Sequence, residues 1–127
     1  MRALVIATIA IVAATAHANE REEQFRAALR AWQPNLFGSG SVSRGPLSVA
    51  AVEREGMDAV RGCGHCPQVP FGYMHSYWEK FKRQIQPGDS LVFFRSDKKS
   101  WSGLYGREGY AIIRNGKVVK VMIGVLS

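Results

Sequence analysis

The dipeptide Asn115-Gly116 is the feature that most restricts what this chain can become. It separates two apolar runs, Tyr110 to Arg114 and Lys117 to Leu126. A type I′ turn needs positive φ at both central residues, and Asn-Gly adopts that pair readily. Val119, Val121, Ile123 and Val125 recur at every second position, the period of a strand with one face on a core. Lys117 and Lys120 are better placed toward water. The chain is therefore expected to end in a β-hairpin. Its last strand has few charges toward its end, so it must be central or covered, or it would invite edge pairing.

Upstream, Ser90 to Arg95 holds Leu91, Val92, Phe93 and Phe94, a run with strand composition, and it follows the turn Gln86-Pro87-Gly88-Asp89. Before it come helical patterns. Asn19 can cap a helix with Glu22 at its third position, and Phe25, Ala28, Leu29 and Trp32 then recur at helical spacing up to Pro34. Met74, Tyr77, Trp78, Phe81 and Ile85 mark a second strong helix. Ser48 heads a weaker one running to about Val60, with Val49, Val52 and Val60 on one side and Gly56 inside. Leu36 to Pro46 reads as a Gly- and Ser-rich loop. Lys98 to Gly103 is polar, with Trp101 placed to pin a short helical turn. Helices followed by an antiparallel meander define an α+β fold: two or three helices packed on a small antiparallel sheet ending in a β-hairpin. The faces carrying Trp32 and Trp78 are expected to cover one side of that sheet.

The N-terminus bears on location. Met1-Arg2 is a positive start, Ala3 to Ala14 is apolar but too short to span a bilayer, and Ala16-His17-Ala18 fits a small-x-small cleavage site. Residues 1–18 read as a signal peptide and 19–127 as a single domain, periplasmic or secreted, with no transmembrane segment in the mature chain. The formal net charge is +7, and cleavage would remove one arginine, Arg2. Such a balance favours contact with an acidic exported protein or a polyanion. There is neither a long basic run nor a basic motif interleaved with aromatics, which argues against nucleic acid.

Chemistry concentrates in Cys63-Gly64-His65-Cys66, which holds both cysteines of the chain. Three readings are open. The pair can be a structural disulfide in a Gly- and Pro-rich connector, as exported dithiols usually are. It can exchange disulfides, with His65 favouring the Cys63 thiolate and Cys66 resolving the mixed disulfide. With His65 or His75 it can supply three ligands to zinc or copper. Cys-Gly-His-Cys resembles the active-site motif of the protein disulfide isomerases, a thioredoxin-fold family. Tyr105-Gly106 through Asn115-Gly116-Lys117-Val118-Val119 is superficially similar to the final hairpin of thioredoxins. That family sets its motif directly after a buried strand and starts a helix with it. Here Arg61-Gly62 precedes and Pro67-Gln68-Val69-Pro70 follows, and Arg107-Glu108-Gly109-Tyr110 stands where the family's cis-proline belongs. The surrounding thioredoxin pattern is absent.

Two further groups stand out. His75 and Glu79 lie four apart on one helix face, a spacing that would suit an acid/base couple in a cationic hydrolase or nuclease and equally suits a solvated face. Trp101, Tyr105, Arg107 and Tyr110 cluster between the strands, and aromatics with arginine are the usual makings of a binding surface. Leu36 and Phe37 are placed to form a rim of it. From about Pro87 onward, Pro-Gly-Asp-x-apolar, Phe94, Ser100-Trp101, Leu104, Gly106-Arg107, Gly109 and Ala111 through Arg114-x-Gly116 are similar to a group of short uncharacterised bacterial proteins. The resemblance implies a structural unit and no activity. The reading that takes in most of these features is a small, basic, exported, non-enzymatic binding module without cofactor, for example an inhibitor or immunity-type partner of another exported protein. The alternative is a thiol-disulfide or zinc- or copper-handling protein using the cysteine loop, and a hydrolase is the third.

Overall fold

The computed structural model describes residues 18–126. Helix α1 spans residues 18–32. Strand β1 (Val42–Arg44), helix α2 (Val49–Asp58), a 3₁₀ turn (Gly72–Met74) and helix α3 (His75–Lys82) follow. Strand β2 (Ser90–Arg95), the short helix α4 (Lys98–Ser102) and the hairpin strands β3 (Arg107–Arg114) and β4 (Lys117–Leu126) complete the fold. It is α+β: four helices packed on a four-stranded antiparallel open sheet of order β1-β2-β3-β4, ending in the β3–β4 hairpin. No described helix is long and apolar enough to cross a membrane. The signal-peptide reading falls almost wholly on residues outside the described range.

The local signals behind these elements are legible. The Ser48 side chain accepts from Ala51 N at 3.0 Å and caps α2. Asn115 and Gly116 take φ of 52° and 75°, as the hairpin turn requires. Asn19 does not cap its helix, because residue 18 is already helical. Gly56 within α2 is a packing requirement: a Cβ there would lie 2.8 Å from the Phe71 ring. Gly109 in β3 is another, since a Cβ would meet the Met122 carbonyl oxygen at 2.0 Å.

The helices do not share one side of the sheet. On one face, Val52 of α2 and Trp78 and Phe81 of α3 pack on Leu91, Tyr110, Ile112 and Met122. On the other, Phe25, Ala28 and Leu29 of α1, with Leu36 and Phe37, pack on Val92, Phe94, Ala111 and Ile113. Trp32 and Trp78 are thus on opposite faces, and the sheet is the middle of three layers. The reason lies in β2 and β3. Leu91-Val92-Phe93-Phe94 and Tyr110 to Ile113 are continuously apolar, so each strand carries an oily surface on both sides, and each side needs a helix.

Two other expectations are corrected. β4 is an edge strand, not a central one. Nor does it keep a simple alternation. Its pairing with β3 shifts register between Glu108 and Gly109 and between Ile112 and Ile113, leaving Val119 and Gly124 as extra residues. Val118, Val121 and Ile123 therefore share the α1 side, Met122 faces α3, and Val119 and Val125 are exposed. The loop from Leu36 to Pro46 contains β1, and its Leu36 and Phe37 are buried against Phe94 and Leu29 instead of forming a rim.

Candidate functional site

The cysteine loop begins where α2 runs out. Gly62 has φ of 85°, which turns the chain, and Cys63 N donates to Val60 O at 3.1 Å. The Cys63 and Cys66 sulfurs lie at disulfide distance, 1.92 Å. The His65 ring stands beside them, its Nε2 3.8 Å and its Nδ1 4.0 Å from Cys63 Sγ. Polar anchors hold the loop from below. Gln68 Nε2 donates to Cys66 O at 3.0 Å and Cys63 O at 3.4 Å, and the Tyr73 hydroxyl donates to His65 O at 2.8 Å. The loop's exit is fastened to α2 by Phe71 N donating to Gly56 O at 3.0 Å. The motif thus follows a helix and a turn and leads into a short 3₁₀ turn, without the strand-then-helix frame of thioredoxins.

Cys63, His65 and Cys66 form the one group among the described residues with metal-ligand character, their ligand atoms within 4.8 Å of one another. His75, the fourth residue of the metal alternative, is not part of it. Its Nδ1 lies 2.9 Å from Pro70 O and its Nε2 3.5 Å from Glu79 Oε1. Glu79 in turn accepts from Lys82 Nζ at 2.9 Å, and Lys82 reaches Glu53 at 3.2 Å. Glu53 also accepts the Trp78 indole N–H at 3.0 Å, and that bond, ahead of the attraction of Lys82, holds its carboxyl below the usual range. The i,i+4 pair read from the sequence is therefore present, but both imidazole nitrogens are engaged and Glu79 belongs to a network in which Lys82 and Trp78 tie α3 to Glu53 of α2.

Of the four residues of the expected binding surface, Tyr105 and Arg107 line one shallow pocket with Trp32 and Ile123, whereas Tyr110 lies on the other face. Trp101 packs on Gly106, where a Cβ would lie 2.5 Å from the indole, and the Arg95 guanidinium stacks 3.9 Å over its ring. Tyr105 packs on the α1 side of the sheet, and Arg107 donates to the carbonyls of Tyr105 and Gly106 at 3.3 and 3.2 Å. Tyr110 is buried on the other face, its hydroxyl donating to Glu55. Burial, with that bond to Glu55 second, drives its phenol pKa strongly upward.

Two apolar grooves on the α3 side of the sheet were not anticipated. One, of about 430 Å³, lies between α3 and β4 and is lined by Met74, Tyr77, Phe81 and Met122, with Lys80 and Lys120 at its margin. The other, of about 450 Å³, lies between the cysteine loop and the hairpin and is lined by Val60, Cys66, Phe71, Tyr73, Met74 and Val125, with two carboxylates, Glu55 and Glu108, that are each paired to an arginine, Arg44 and Arg95. They share Met74, and both border β4. Tyr73 and Tyr77 beside them are 68% and 64% exposed, high for aromatic side chains. The available signal was the tyrosine pair: Tyr73 and Tyr77 are one helical turn apart, and only one helix stripe can face the core.

A buried polar corner was also missed. Asp97 caps α4 through Ser100 N at 2.8 Å and accepts Gly38 N at 2.8 Å. Ser96 Oγ meets Ser100 Oγ at 2.6 Å and accepts Arg107 N at 2.8 Å. Burial alone would raise the Asp97 carboxyl pKa, but the N–H donors of Ser100 and Gly38 outweigh it and hold the group below the ordinary value.

No protein-family model matches this chain, and no curated protein and no solved structure matches it. The functional argument therefore rests on the geometry above.

Proposed function

We propose that this protein is a non-enzymatic binding module that takes an extended acidic and apolar segment of another exported polypeptide along β4. The supporting observation is a coincidence on one strand. β4 is ten residues long, carries no strand on its outer side among the described residues, and is bordered by both apolar grooves. An added strand gains main-chain hydrogen bonds from an open edge, and its alternate side chains enter flanking pockets, which confers selectivity. Each groove is large enough for a big side chain and is lined mostly by carbon.

Charge favours the chemistry of the occupant. Lys80, Lys117 and Lys120 have no ion-pair partner among the described residues, whereas Lys82, Arg44, Arg95 and Arg114 are all paired. Acidic residues of an incoming segment would find three free ammonium groups. A second copy of this chain would bring its own lysines to the same strand, and like charges across paired strands are unfavourable. The bulges at Val119 and Gly124 and the edge lysines are devices that blunt unselective pairing. The surface is assigned to β4 and not to Trp101, Tyr105, Arg107 and Tyr110, because Tyr110 is buried on the other face, Arg95 covers the Trp101 ring and Arg107 is engaged with the carbonyls of Tyr105 and Gly106.

Selection of random octapeptides on the immobilised full chain tests the reading. The expected enrichment is for apolar residues at alternate positions with Asp or Glu between them. Lys80→Glu with Lys120→Glu should weaken the selected peptides by about tenfold or more. An absence of enrichment, or equal binding to the doubly reversed variant, would sink the proposal.

A further inference from the structure

The cysteine loop carries a second site whose ligand atoms the β4 reading does not use, although Cys66 also borders one of the β4 grooves. We infer that Cys63, His65 and Cys66 form a redox-gated chelate for a thiophilic d¹⁰ cation, Zn(II) or Cu(I), closed while the disulfide is intact and opened by its reduction.

The donor set is two thiolates and an imidazole, which suits borderline and soft cations and not Mg(II) or Ca(II). All three ligand atoms already lie within 4.8 Å of one another, and the imidazole nitrogens stand 3.8 and 4.0 Å from Cys63 Sγ. Little movement is needed beyond separating the sulfurs. The loop does not depend on the disulfide alone for its shape. Gln68 gathers the Cys63 and Cys66 carbonyls, Tyr73 fixes the His65 carbonyl, and the Cys63 and Cys66 amides close turns onto Val60 O and Cys63 O at 3.1 and 3.4 Å. Such outer contacts orient ligands, and none of them involves a sulfur atom. Three protein ligands leave a coordination position open, so a bound ion would be exchangeable rather than structural.

The chemistry balances with an external dithiol as reductant. Its two thiols become a disulfide and release two electrons and two protons. The Cys63–Cys66 bond takes both electrons and breaks, and the two sulfurs take the protons. The cation then displaces those two protons and accepts a lone pair from each sulfur and from the neutral His65 ring, so binding tightens as pH rises.

The test uses the full chain, reduced and freed of reductant under anaerobic conditions, titrated separately with Zn(II) and with Cu(I) against a chromophoric chelator. Zn(II) and Cu(I) report the two sources of the same chemistry, and Co(II) supplies a thiolate charge-transfer band as a signature. The expected result is one cation per reduced chain for at least one of the two metals, with none bound by the oxidised chain. His65→Ala, which leaves the disulfide untouched, should weaken binding by about tenfold or more, and Cys63→Ser should abolish the charge-transfer band. His75→Ala should leave affinity unchanged. Equal binding by oxidised and reduced protein, no binding of either metal after reduction, one cation shared by two chains, or an unaltered affinity in His65→Ala would each overturn the inference.

Discussion

Two connectors in this molecule solve the same problem by opposite means. The corner from Ser96 to Arg107 links β2 to β3 and is fixed by buried polar groups that satisfy one another: Ser96, Asp97 and Ser100 are nearly inaccessible, and their donors and acceptors end on each other or on Gly38 and Arg107. The loop from Cys63 to Cys66 links α2 to the 3₁₀ turn and lies at the surface. It is fixed by a covalent bond and by side chains that hold only its carbonyls. Within that corner the Ser96, Asp97 and Ser100 side chains are spent on one another and on the backbone, and only the Trp101 indole N–H is buried without a partner. A loop held by its backbone keeps its sulfurs and its imidazole available. Ser96–Arg107 is thus fixed by buried polar contacts, whereas Cys63–Cys66 is the segment to which the metal proposal applies.

That contrast can be broken by substitution. Asp97→Ala removes the α4 cap, strands the buried Ser100 N–H and releases the part-buried Gly38 N–H. It should cost about 3 kcal/mol in denaturant unfolding and loosen residues 36–41. Deleting the disulfide with Cys63→Ser and Cys66→Ser should cost no more than about 2 kcal/mol, since so short a ring constrains the unfolded chain little. If the double serine variant proved the more damaged of the two, the comparison would be reversed.

Acid should probe the corner selectively. The Asp97 carboxyl titrates below its ordinary 3.8 when folded, so its contribution is fully present above that value and is lost as pH falls through the folded value. Asp89 behaves likewise. Hydrogen bonds from Arg114, first of its causes, hold it at about 2, with both oxygens engaged at 2.8 Å. Stability should therefore decline from about pH 4 toward pH 2. Asp89→Asn and Asp97→Asn should each flatten part of that decline, with Glu53 contributing a further part, while Cys63→Ser with Cys66→Ser should leave its slope unchanged. The smallest effect expected is that of Gln68→Ala. Two exposed bonds to carbonyls should cost about 0.5 kcal/mol in stability, but exchange of the loop amides should quicken measurably.

The legibility of the molecule from its sequence follows the range of the forces involved. The hairpin, β2, α2 with its Ser48 cap and the α+β class all rest on local periodicity or on one turn, and these are readable residue by residue. Which face each helix covers depends on contacts between distant segments. Leu91 to Phe94 carried the clue, because an uninterrupted apolar strand is covered twice, but alternation in β4 drew attention to one face. That alternation is itself displaced by the bulges at Val119 and Gly124, which exist only once β3 and β4 are paired. At the site, the cysteine pair and the His75–Glu79 spacing were visible as local patterns. The Asp97 corner was not, since Gly38 and Asp97 are distant in the chain and nothing in a Ser-Asp-x-x-Ser run tells that it is buried. Tyr110 was assigned to a surface because it neighbours Arg107, although strand alternation sends its side chain to the core.

The proposed docking edge is the outer side of β4, which pairs with no strand among the described residues. Hydrogen exchange of amides in Lys117–Leu126, measured residue by residue on the full chain, tests it most directly. The outward-directed amides between the bulges should exchange rapidly in the free protein and become protected by about tenfold or more when a selected acidic peptide binds, with β1 unchanged. If those amides are already protected without peptide, or stay fast at saturation, β4 is not the docking strand.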